Sequence, residues 1–129
     1  MSTEIGIRQT VGIVILTPRG RLVSGTGDAL RQAILSKFDQ GHHRLLIDLA
    51  QVDFIDSMTI GDLVGVYASI TRRDGAMALL SPSKPVRESL RITRMDQLFP
   101  IYNSEAAATA GLNSSRSLNR DTLDDLLDA

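Results

Sequence analysis

Arg44-Leu45-Leu46-Ile47-Asp48-Leu49, followed after three residues by Asp53-Phe54-Ile55-Asp56-Ser57-Met58-Thr59-Ile60-Gly61, is the stretch that sets the architecture. Leu45, Leu46, Ile47 and Leu49 leave little room for a wet face, so residues 44–49 read as a strand buried on both sides. A helix is expected from about Ser57 to Arg73, with Ile60, Leu63, Val64 and Tyr67 on one apolar stripe. Arg72, Arg73 and Gly75 close it, the cations sitting at the favourable end of the helix dipole. A small hydroxyl residue beside acids thus stands at a strand-to-helix junction. A serine so placed can cap the helix, act as a nucleophile or carry a phosphate.

Upstream, residues 4–9 and 11–17 look extended, the second rich in β-branched side chains, and Pro18-Arg19-Gly20 reads as a turn. Leu30, Ile34, Leu35 and Phe38 repeat at helical spacing, with Asp28 as the expected cap and Gly41 as the stop. Downstream, 76–80 reads as a short buried strand, and Ser81-Pro82-Ser83-Lys84-Pro85 as a loop entering a third helix that turns Val86, Leu90 and Ile92 inward. Pro100-Ile101-Tyr102 reads as a last strand. Ser104 caps a final helix that is expected to stop at Gly111. From Asn113 the chain turns polar and then acidic, with Leu123, Leu126 and Leu127 at helical spacing, so 1–112 is expected to form the domain and 113–129 a loose tail or a detachable short helix. The order β-β-α-β-α-β-α-β-α predicts an α/β fold: a mixed, mostly parallel sheet of four to five strands with an antiparallel N-terminal edge hairpin and about four helices.

Composition narrows the function. Of 129 residues, 43% are hydrophobic but only 4% aromatic, so the core must be aliphatic. Fourteen basic against fifteen acidic residues give no bulk-charge argument for binding nucleic acid or a membrane surface. The absence of Cys removes disulfides, thiolate catalysis and Cys-ligated zinc. No stretch approaches the roughly 18 apolar residues of a membrane span, and Met1–Gly6 shows no secretory pattern. A soluble cytoplasmic protein is expected.

Element order, Ile47-Asp48-Leu49, Val52-Asp53-Phe54-Ile55-Asp56-Ser57 and Ile60-Gly61 together resemble the STAS domain family (sulfate transporter and anti-sigma factor antagonist), most of all its stand-alone bacterial anti-anti-sigma factors. The resemblance covers roughly residues 5–111. It implies phosphorylation at Ser57, assisted by Asp56. Met58 stands where the family usually has Ser or Thr, and Thr59 where it usually has Gly; both are expected to enlarge the surface around Ser57. What the resemblance implies is an anti-sigma factor antagonist. The dephosphorylated form would bind an anti-sigma factor that is also a serine kinase of the histidine-kinase-like ATPase type, and a phosphatase would reset it. A homodimer is compatible with this; a stable cofactor is not called for. The alternative is a non-switching STAS scaffold subunit of a sensory or lipid-transport complex.

The partner surface is expected to include Asp53, Asp56, Met58, Thr59 and Asp62, with Ser24 and Thr26 from the loop before the first helix. Thr59 reads first as a first-turn residue with its methyl packed, and second as another phosphoacceptor. Other signals carry less. His42 and His43 are adjacent and would point oppositely on a strand, with no Cys to complete a metal site. Lys84, Arg87, Arg91 and Arg94 form a basic helical stripe that suits an acidic partner, the acidic tail or plain solvent. Ser57 lacks the Gly-x-Ser-x-Gly elbow of hydrolases, which argues against an enzyme.

Overall fold

The computed structural model describes residues 5–114. Strands β1 (Ile5–Thr10) and β2 (Ile13–Pro18) form the expected antiparallel hairpin. Val11 and Gly12 turn it, both at positive φ (47° and 79°), as a two-residue turn matched to strand twist requires. A second short strand, β3 (Gly20–Leu22), follows after Arg19 alone, and helix α1 spans Thr26–Asp39. Then come β4 (Arg44–Asp48), β5 (Val52–Ile55), α2 (Ser57–Arg72), β6 (Ala76–Leu80) and α3 (Lys84–Ile92). A 3₁₀ turn at Met95–Gln97, β7 (Ile101–Tyr102) and α4 (Glu105–Ser114) complete the described chain.

The main sheet has the order β1-β2-β4-β6-β7, antiparallel at β1–β2 and parallel elsewhere. Strand alternation divides the core between its two faces. Val14, Leu16, Leu45, Ile47, Met77 and Leu79 pack with the buried sides of α1, α2 and α3. Ile13, Ile15, Leu46, Ala78 and Leu80 pack with Ala108 and Leu112 of α4. The α/β class, the mixed sheet and the four helices are as expected. Helix α2 anchors the site's scaffold through Ile60, Leu63, Val66, Tyr67 and Ile70, all buried. Each such side chain contributes about 1.5–3 kcal/mol by leaving water.

Four local expectations change. β3 and β5 pair in parallel as a separate two-stranded sheet; three and four residues are too few to leave a periodic signal. Helix α1 starts at Thr26, so Asp28 lies inside its first turn, where its carboxylate accepts from Arg31 Nη2 (2.6 Å) and Gln32 Nε2 (2.9 Å) instead of capping. Ile92 is 68% exposed at the end of α3. Gly111 does not stop α4; it lies within the helix where a Cβ would overlap the Tyr102 ring. The helix thus takes in Asn113 and Ser114, the first two residues read as tail. The rest of that tail lies outside the described residues. Ser104 does cap α4, its Oγ accepting from Ala107 N–H at 3.2 Å.

Candidate functional site

The small β3–β5 sheet builds the site. Its register sets Leu22 beside Ile55, so both strands end together and the helices they feed, α1 and α2, start side by side. One carbonyl ties the junction: Leu22 O accepts the Asp56 N–H at 3.1 Å and the Thr59 hydroxyl at 3.2 Å.

At the start of α2, Asp56 has extended backbone (φ −90°, ψ 168°), and its Oδ1 accepts the Thr59 N–H at 2.8 Å. It is the N-cap, satisfying one of the amides a helix start leaves open. Hydrogen bonding from Thr59, the side chain first and the backbone N–H second, holds the Asp56 carboxyl below the usual carboxylate range. Ser57 is the first helical residue and is exposed. With the cap taken by Asp56, its hydroxyl is left to solvent at the positive end of a 16-residue helix.

The next two residues part ways. Met58 is 65% exposed, an apolar knob beside Ser57. Thr59 is only 1% exposed, which corrects the expectation that it enlarges the surface. It is a packed first-turn residue, turned toward Leu22 O and against α1. Opposite it stands Gly27, where a Cβ would lie 2.8 Å from Thr59 Cγ2 and nearer still to Oγ1. The two helix starts touch because one contributes a threonine and the other no side chain.

Of the loop residues, Ser24 is exposed, whereas the Thr26 hydroxyl is committed locally. It accepts the Val23 N–H at 2.9 Å and donates to Arg21 O at 2.6 Å. The three nominated acids also diverge. Asp56 turns to the helix amides, and Asp53 is exposed on β5. Asp62 is half-buried and lines a cleft of about 350 Å³ between α1 and α2, together with Asp28 and Arg31. Arg31 pairs with Asp28, and Asp62 adds to the field that raises its pKa. The acidic rim is therefore narrower than the chain order suggests.

Two residues not nominated from sequence complete the surface. Phe54 is 39% exposed, and the Arg21 guanidinium lies 4.6 Å from its ring centroid, within cation–π range. They are register partners across β3 and β5. β5 buries Val52 and Ile55 but exposes Asp53 and Phe54, so no alternation marks the aromatic as outward. Gly27 was also unmarked; only its contact with Thr59 reveals it. Of the two histidines, His43 packs on Phe38 with ring centroids 4.8 Å apart, and His42 lies 3.4 Å from Gln9. Among the described residues, no helix is long and apolar enough to cross a membrane.

Known proteins share this fold. The Thermotoga neapolitana homologue of TM1081, named as a candidate anti-sigma factor antagonist, is 30% identical over 97 residues, spanning 74% of this chain and 86% of its own length. The crystal structure of TM1081 from Thermotoga maritima superposes with a TM-score of 0.78 at 24% identity, covering 84% of this chain and 94% of that one. SpoIIAA, an anti-sigma factor antagonist solved in its unphosphorylated form, gives 0.64 at 19% identity over 88% and 99%; the phosphorylated form from Bacillus gives the same score and identity over 83% and 97%. The family model for the STAS domain matches residues 4–108, and the chain belongs to the STAS domain family.

Proposed function

We propose that this protein is an anti-sigma factor antagonist, a binding protein and not an enzyme. Its surface around Ser57 engages an anti-sigma factor that is also a serine kinase of the histidine-kinase-like ATPase type. Phosphorylation of Ser57 releases that partner, and a phosphatase restores the binding form. Such a cycle belongs in the cytoplasm. The observation that carries the reading is the free hydroxyl: Ser57 is exposed at the first position of α2 while Asp56 does the capping. Relatives bearing the antagonist name support it.

The chemistry follows from the helix end. Open amides and the dipole accommodate a phosphate without unfolding the domain. The phosphate adds about −1.5 to −2 charges and three acceptor oxygens next to the exposed Met58 and close along the chain to the exposed Phe54 and Asp53. An interface that buries Met58 and Phe54 would then have to desolvate a dianion. Thr59 and Thr26 are not competing acceptors, since both hydroxyls are engaged in the fold.

The test is incubation with candidate kinases and ATP followed by peptide mass spectrometry. One phosphate at Ser57, absent from the Ser57→Ala variant, is the expected result. Full activity of a cognate kinase with no modification at Ser57 would defeat the reading.

A further inference from the structure

We propose that the acidic, leucine-bearing C-terminal segment of this chain docks on the basic face of α3, in cis. The surface is unusual within the domain. Lys84, Arg87 and Arg91 recur along α3 and Arg94 follows just past its end, all exposed, and Ile92, its last residue, is 68% exposed. Arg91 has a partner in Glu88 and feels Asp96, and Arg87 bonds Asn103 Oδ1 at 3.0 Å, so four cations against these two acids keep a net positive charge of two. An exposed isoleucine flanked along the chain by Arg91 and Arg94 suits an acidic strand or helix with aliphatic side chains of its own.

The chain carries such a segment. After Arg116 and Arg120, four acids (Asp121, Asp124, Asp125 and Asp128) alternate with Leu123, Leu126 and Leu127. The leucines repeat at the spacing that puts them on one side of a helix. Charge and apolar content therefore complement α3 in kind.

Topology brings the two together. α3 follows β6, and its Arg87 bonds Asn103, the residue before the Ser104 cap of α4. α4 follows β7 and runs back over the sheet, its Leu112 in the cluster that holds Ile13 and Ala76 at the starts of β2 and β6. The middle of α3 thus lies beside the start of α4, whose ten residues carry its end about 15 Å away. The border between them is β7, an edge strand of only two residues. Six residues, 115–120, lie between α4 and the first acid and reach up to about 20 Å when extended.

The absence of native Cys makes the test direct. A nitroxide on Ala129→Cys in the full-length, isotope-labelled chain should broaden the amides of Arg87–Arg94 at low salt. The broadening should fade at about 1 M salt, where the screening length is near 3 Å, and should vanish in Arg91→Glu/Arg94→Glu. Leu126→Ser/Leu127→Ser should also remove it. No broadening on α3, or broadening that survives the charge reversal, overturns the proposal. So does broadening in a mixture of labelled chain and separate spin-labelled chain, because that assigns the contact to a second copy.

Discussion

The starts of α1 and α2 lie against each other and solve the same problem in opposite ways. Both present a hydroxyl residue at the first helical position, Thr26 in one and Ser57 in the other. At α1 the preceding residue is Gly25, which offers no side-chain cap, and the Thr26 hydroxyl is drawn into the loop by Val23 and Arg21. At α2 the preceding residue is Asp56, which takes the amide itself. A hydroxyl at a helix start is free for chemistry only when a neighbour has relieved it of structural duty. That difference, and not the residue type, separates the proposed phosphoacceptor from a structural threonine.

The largest effect should come from placing charge at the free hydroxyl. Ser57→Asp should weaken anti-sigma binding by roughly a hundred- to thousandfold, equivalent to about 3–4 kcal/mol, measured by calorimetry with the cognate partner. Thr26→Asp is the contrast: its damage should register as lowered melting temperature, since it breaks bonds of the fold. Equal binding losses with equal melting losses in the two variants would erase the distinction.

Contact between the two starts gives the next effect. Gly27→Ala forces a methyl onto Thr59 and should cost about 1–3 kcal/mol in urea unfolding. Thr59→Ala opens that space, so the double variant should be less destabilised than the sum of the singles, as coupled neighbours require. Strict additivity would mean the helix starts are not packed as described.

Removing the α2 cap follows in size. Asp56→Ala should lower stability by about 1 kcal/mol. The carboxyl ionises at lower pH folded than unfolded, so its contribution is complete above the ordinary value of 3.8 and is lost as pH falls through the folded value. Asp56→Asn caps without titrating, and should keep most of the stability while flattening the acid limb of the curve. The smallest change in stability belongs to Met58→Ala, within about 0.5 kcal/mol for an exposed side chain. Its effect should appear instead in partner affinity.

Much of this was legible in the chain, for a physical reason. Strands β2, β4 and β6 are apolar runs because both sheet faces are covered, and α2 shows its stripe because one face is not. Those periodicities are local. They also place Ser57 at a helix start and Asp56 just before it. Ile92 misled because an apolar residue in an amphipathic run is counted inward unless the fold shows it outside. Gly111 misled because a glycine near a helix end mimics a stop, whereas here it makes room for Tyr102.

The sequence by itself therefore determined the order of the four helices and the five main-sheet strands, the aliphatic core and a serine beside a capping acid. Only the tertiary structure decided that Ser57 and Met58 face outward while Thr59 does not, and that Arg21 and Phe54 share their surface. Those outcomes depend on Leu22 O meeting Thr59 across 37 positions and on Gly27 yielding space to it. Contacts between residues so far apart leave no periodic trace in either segment, and they form only when the two short strands come into register.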